Sequence, residues 1–188
     1  MKSVAIIYGW SEGPWQSKRF VAELSKSSLS VTKDLKSADI IFAHSAGCYL
    51  VPKDVPAQTI ILVGLPYWPG RSSLSSVLKN LTVGLRQHHS EGDIKWWFSK
   101  LAHNLYYIIT RPQANWYVLT RHKIENLPIS NEGKKIILVR NQEDTFCHPD
   151  VQKLVQRVSE YKFIELPGAH DNCWVNPAKY INLIRSTS

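Results

Sequence analysis

The sequence predicts a three-layer α/β/α fold with a mostly parallel sheet of about six strands and a helical insertion behind the strand at 59–63. Three observations carry this. Short β-branched apolar runs alternate with amphipathic stretches over 1–66 and again over 131–188, the rhythm of βαβ units. Runs such as Ile60-Ile61-Leu62-Val63 and Ile136-Ile137-Leu138-Val139 are continuously apolar, as expected of strands covered by helices on both faces. Residues 67–130 break the rhythm: they hold nine of the chain's twenty aromatics and no strand of comparable quality.

Strands are expected in order at 4–8, 29–32, 40–44, 59–63, 135–140 and 162–166. Helical period is plainest after the fifth strand, where Val151, Leu154, Val155 and Val158 recur at i, i+3, i+4 and i+7. Pro149-Asp150 supplies a start for that helix. Inside the insertion, Leu74, Val77, Leu78, Leu81 and Leu85 mark one helical stripe. Ile94, Trp97, Phe98, Leu101, Leu105 and Ile108 mark another, which Pro112 stops, and a third short helix is expected over 116–119. No repeat or low-complexity linker divides the chain. It reads as one domain, core 1–66 and 131–188, with 67–130 as a cap.

Composition narrows the classes. With 188 residues, 44% hydrophobic and 20% charged, the chain can build one real core and is neither disordered nor fibrous. Its longest nearly apolar run, residues 60–68, includes Gly64 and Pro66 and falls far short of the roughly 20 residues of a membrane span. The first fifteen residues carry one lysine and a four-residue apolar stretch, too little for a secretion signal. Cys48, Cys147 and Cys173 cannot all pair and show no CxxC spacing. Reduced thiols in a cytoplasmic protein are the expectation. A net charge of +8 raises nucleic acid or an anionic membrane as partners. Yet the longest basic run is a pair, Lys18-Arg19 or Lys134-Lys135, which disfavours nucleic acid. The insertion, with eight Lys/Arg against three acids, leaves a membrane surface open as a partner.

The chemistry centres on Ile40-Ile41-Phe42-Ala43-His44-Ser45-Ala46-Gly47. Here an apolar strand runs into a small-x-Ser-x-Gly turn, and Cys48 to Val51 could open a helix. Such a turn lifts Ser45 off the strand's carboxyl end, and small residues two before and two after let strand and helix approach closely. Serine is a poor nucleophile without a base and a group to orient that base. Both lie in the loops after the last two strands: Asp144 in Asn141-Gln142-Glu143-Asp144, and His170 in Pro167-Gly168-Ala169-His170-Asp171. Active sites of open α/β sheets gather at these carboxyl ends. Glu143 is an alternative to Asp144 and His148 a rival base. His44 is read as pointing away from the nucleophile toward packing. His88-His89 with Glu91 and Asp93 lack the i, i+4 histidine pair of a metal site, and no metal or cofactor is expected.

Three motifs, AHSAG, NQEDTFCHP and LPGAHDNCWVNP, resemble the nucleophile elbow, acid loop and histidine loop of the α/β-hydrolase superfamily. The resemblance covers residues 1–66 and 131–188, and 67–130 sits where that superfamily usually places a lid. Two features depart from its pattern: Ala43 stands at the first glycine of the elbow, and the superfamily's two leading antiparallel strands are missing. The resemblance implies a serine hydrolase of ester or related acyl bonds, with Ser45 as nucleophile, His170 as base and Asp144 as its orienting acid. It implies an oxyanion hole from the N–H groups of Ala46 and Trp10, the latter following Gly9 where relatives often have His-Gly. Gly9, Trp97, Tyr107 and Trp116 are the candidate substrate-binding residues, and the aromatic cap suggests a small, apolar acyl substrate. Two alternatives stand beside this: a non-catalytic binding protein on the same scaffold, and a peripheral membrane-associated, lipase-like protein.

Overall fold

The computed structural model describes residues 1–67, 82–83, 85–86, 94–113, 116, 127, 133–153 and 161–187. In chain order the strands are β1 (Ser3–Ile7), β2 (Ser30–Thr32), β3 (Ile40–His44), β4 (Thr59–Val63), β5 (Lys135–Asn141) and β6 (Lys162–Leu166). The helices are α1 (Lys18–Lys26), α2 (Ile94–Thr110), α3 (Asn172–Val175) and α4 (Ala178–Ser186). Among the described residues these strands form one sheet, ordered β2-β1-β3-β4-β5-β6, with every pairing parallel. The six expected strands all appear, with ends within a residue or so.

The strand period of two explains the layers. Ile41 and Ala43 of β3, Ile60 and Leu62 of β4, and Ile136 and Leu138 of β5 share one core with Cys48, Val51, Leu127, Cys147 and Val151. Their neighbours Ile40, Phe42, Ile61, Val63, Ile137 and Val139 face the other side. There they meet Phe20 and Leu24 of α1, Trp174 of α3, and Tyr180, Ile181 and Ile184 of α4. Phe20, Phe42 and Trp174 pack ring on ring at 4.5 to 5.9 Å. Central strands buried on both faces need no polar alternation, which is why their sequences lack it.

Strand order reverses between β1 and β3. The chain leaves β1 toward β2 on one side, returns, and then proceeds to β4, β5 and β6 on the other. The segments after β1 and β3 lead to opposite faces of the sheet, Phe20 and Leu24 to one and Cys48 and Val51 to the other, and sites of open α/β sheets lie at such reversal points. Behind β3 the sequence allowed a helix. The chain instead makes one 3₁₀ helix, Ser45–Leu50. Pro52 ends it there, because it holds Val51 extended at φ −65°, ψ 118°.

The insertion contributes α2, and Pro112 falls just beyond its end. The docked face follows the apolar stripe read from sequence only in part: Ile94, Trp97 and Leu101 are half-buried. Phe98, Leu105 and Ile108 stay 56%, 54% and 49% exposed. The contacts come from Trp96, Lys100, His103, Asn104 and Tyr107 instead, also at helical spacing. Counting apolar residues cannot see a helix that docks through polar and aromatic tips. Residues 151–153 are helical as expected. Leu74, Val77, Leu78, Leu81, Leu154, Val155, Val158, His88 and His89 and the helix at 117–119 lie outside the described residues.

Candidate functional site

Ser45 sits at the first step past β3 with φ of 53°, a left-handed conformation that a serine holds only when its surroundings impose it. Two close approaches impose it here. A Cβ on Gly47 would stand 2.7 Å from the Ile7 carbonyl oxygen and 2.6 Å from that of Tyr8. A Cβ on Gly9 would stand 2.7 Å from the Cβ of Ser45. The end of β1 thus presses on the turn from both sides and leaves room for glycine alone. Ala43, fully buried, fits its place with a methyl.

The loop after β6 brings His170 to this serine. The Ser45 hydroxyl donates to His170 Nε2 across 2.9 Å, and Nδ1–H donates to Asp144 Oδ2 across 2.8 Å. Asp144 is buried, and its other oxygen accepts from the N–H groups of Phe146 and Cys147 at 2.8 and 3.1 Å. Burial pushes its pKa up, but the facing histidine and the two N–H bonds outweigh that and hold it below the usual carboxylate range. Glu143 is exposed instead, on an open cavity of about 960 Å³ lined also by Arg19, Asn172 and Lys179. His148 is turned to Asp150, whose N–H donates to its Nδ1 at 3.2 Å.

Beneath the pair lies Gly64, the residue after β4, at φ +59°. A Cβ there would come within 3.1 Å of Asp144 Oδ2 and of the His170 ring. Asn141, the last residue of β5, donates its amide to the Ala169 carbonyl at 2.8 Å and to the His170 carbonyl at 3.3 Å. The Tyr180 hydroxyl fixes Asn141 by donating to its Oδ1 at 2.5 Å.

His44 packs as read from sequence, fully buried and edge-on to Trp174 at 5.1 Å, and it does more. It points away from Ser45, but into polar partners. Its Nδ1 lies 2.7 Å from Glu12 Oε1 and its Nε2 lies 2.9 Å from the His170 carbonyl. Glu12 also reaches back with Oε2 to accept the Gly9 N–H at 2.7 Å. A turn closed by the Glu12 N–H on the Gly9 carbonyl at 3.2 Å, with Ser11 at φ 60°, makes that reach possible. Sequence reasoning passed over Glu12, Gly64 and Asn141. Gly64, set straight after an apolar strand, was the one with a visible signal.

Around this centre α2 touches the loop after β1. Tyr107 meets the Trp10 ring edge-on at 5.6 Å, and the Ser11 hydroxyl donates to Asn104 Oδ1 at 2.8 Å. Trp15 stacks near Trp96 and His103. Lys100 pairs with Asp171, the residue after His170. Of the other candidate rings, Trp97 packs on Phe98 of its own helix and Trp116 is 70% exposed. Donor atoms of His44, His170 and Asp171 lie within 4.8 Å of one another. Each residue is already engaged by a protein partner: Glu12 and a carbonyl, Ser45 and Asp144, and Lys100.

No family profile and no curated protein sequence matches this chain. Solved structures do. An N-formylmaleamic acid deformylase from Pseudomonas putida S16 superposes with a TM-score of 0.64 at 12% identity, covering 97% of this chain and 91% of that one. The thioesterase domain of the curacin biosynthetic pathway gives 0.60 at 15% identity, with 98% and 91% covered. An epoxide hydrolase from Vigna radiata gives 0.57 at 10%, with 99% and 90% covered.

The chain has the α/β-hydrolase fold. In that fold's terms the sheet is minimal, since β2 forms one edge and nothing described lies beyond it. The three residues joined by hydrogen bonds stand in loops after β3, β5 and β6, and the Gly9–Trp10 loop follows β1 at the reversal of strand order. No helix among the described residues is long and apolar enough to cross a membrane.

Proposed function

We propose that the chain is a serine hydrolase that cleaves an ester or related acyl bond. The observation that carries this is the relay Ser45 Oγ–His170 Nε2 at 2.9 Å and His170 Nδ1–Asp144 Oδ2 at 2.8 Å, set on a strained turn at the sheet's reversal point. In the proposed reaction the Ser45 oxygen attacks the acyl carbon while its proton passes to His170 Nε2. The oxyanion so formed is held by the N–H groups of Ala46 and Trp10. Collapse breaks the bond to the leaving group, which takes the proton from His170. Water then attacks the acyl-serine with the same base, releasing the acid and restoring Ser45. Asp144 stays ionised throughout and keeps the Nδ1–H tautomer in place. The neighbours named for deformylase, thioesterase and epoxide hydrolase activity support hydrolysis as the class.

On this reading residues 67–130 form a cap over the site. Support comes from α2, whose Tyr107, Asn104 and Lys100 reach the Trp10 loop and Asp171. The candidate substrate wall is then Gly9 and Tyr107, with Trp97 and Trp116 farther out. A second reading, contact of the cap with a membrane surface, draws on Phe98, Leu105, Tyr106 and Ile109, all more than half exposed on α2. A p-nitrophenyl ester series of rising acyl length, run beside Ser45→Ala, tests the main reading. Turnover that rises with length and vanishes in the variant supports it; equal turnover in both overturns it. Sedimentation with anionic vesicles tests the second reading.

A further inference from the structure

Behind the proposed acylating pair lies a second histidine–carboxylate pair that the reaction does not use directly. His44 is fully buried and Glu12 nearly so. Both nitrogens of the His44 ring face acceptors, a carboxylate oxygen at 2.7 Å and the His170 backbone carbonyl at 2.9 Å. Glu12, held below the usual carboxylate range, accepts and does not donate; against an ionised carboxylate a neutral imidazole, with its one N–H, serves one of these acceptors, and the doubly protonated ring serves both. The carboxylate, in turn, holds the Gly9 N–H with its second oxygen at 2.7 Å. One ion pair therefore ties the loop that carries Trp10 to the backbone of the base.

We propose that Glu12 and His44 form a standing ion pair that positions the Gly9–Trp10 loop and the His170 backbone together, and so act as positioning residues for acyl transfer. This rests on the reading of Ser45 and His170 given above. The electrostatics agree. Burial opposes a charge on His44, but the Glu12 carboxylate outweighs it and holds the imidazole's pKa well above its usual value, while burial pushes the neighbouring Cys173 thiol up and keeps it neutral. Burial likewise opposes ionised Glu12, and His44, with Lys100 beyond it, holds that carboxyl below its usual range despite Asp171 nearby. The groups facing the pair are thus Cys173 from α3, Asp171 and the His170 ring (centroid 4.8 Å away) from the loop after β6, and Lys100 from α2.

Glu12→Gln is the discriminating variant, because it removes the charge while an amide can still accept from Gly9 and donate to a neutral His44. Imidazole ¹⁵N shifts of the whole chain read the pair directly, with His44→Gln used to assign the signal. In the wild type at about pH 8.5, His44 is expected to keep both protons, and in Glu12→Gln to lose one. Fluorophosphonate capture of Ser45 reads the consequence: Glu12→Gln should slow it by about 100-fold, because neutral hydrogen bonds hold the base and the loop less firmly than the charged pair, while the variant still folds and its KM for a short ester stays close to wild type. A wild-type His44 that is neutral at about pH 7 overturns the proposal, as does capture by Glu12→Gln within about twofold of wild type. A wild-type chain that captures no fluorophosphonate overturns the proposed function itself, a result read apart from the His44 signal.

Discussion

At the residue scale, the proposed chemistry rests on three side chains and one missing side chain. Ser45→Ala and His170→Ala should each remove most turnover from a folded protein. The double variant should lose little more, because the two act as a unit. Turnover in Ser45→Ala within about tenfold of wild type would contradict the assignment. Asp144→Asn should reduce kcat by a factor on the order of 10⁴, since an amide facing Nδ1 favours the wrong tautomer. Glu143→Gln, at an exposed position, should leave it nearly unchanged, and steady-state kinetics on the two variants separate the carboxyls. Gly64→Ala tests the position without a side chain. Its φ of +59° costs an alanine on the order of 1–3 kcal/mol, and the new methyl would press on both Asp144 and His170. Melting should fall modestly while kcat falls much further; an unchanged kcat would show that the pair tolerates displacement. Ser45, Asp144 and His170 were legible in the sequence because each follows an apolar strand within a few residues. Glu12 was not, because its role depends on a turn that folds its carboxylate back onto Gly9.

At the element scale, the strands were legible almost to the residue, whereas the docking of α2 was not. Runs such as Thr59–Val63 and Lys162–Leu166 are delimited by turn residues that end them. The docked face of α2 mixes Lys100, Asn104 and Tyr107, whose partners Asp171, Ser11 and Trp10 lie far away in sequence. Burial works against a charge on Lys100, but Asp171 and Glu12 raise its pKa, and Lys100 in turn helps lower that of Asp171. Lys100→Met should therefore leave Asp171 without this partner and loosen α2 against the loops it contacts. The expected outcome is a raised KM and faster proteolysis within α2, with the ester preference flattened. Unaltered proteolysis and preference would mean that this ion pair does not hold the cap.

For the whole molecule, the buried charges set a pH window. The Glu12 pKa is lowered in the fold from 4.5, so its contribution to stability is present above that value and fades as pH falls through the folded one. The His44 pKa is raised from 6.5, so its contribution is full below that value and is lost as pH rises through the higher folded one. The stability difference between wild type and Glu12→Gln should be broadest between these limits and shrink toward either extreme, as melting curves across pH would show. Net charge and composition were fully legible but said little about chemistry. The order β2-β1-β3-β4-β5-β6 is what turns three scattered loops into one site.

The central claim is that Ser45 is a nucleophile raised by His170. Its most direct test is reaction of the wild-type chain with a fluorophosphonate, followed by peptide mass analysis. One adduct per chain is expected, located on Ser45, absent in Ser45→Ala and strongly slowed in His170→Ala. An adduct on another residue, or equal labelling of Ser45→Ala, would contradict it.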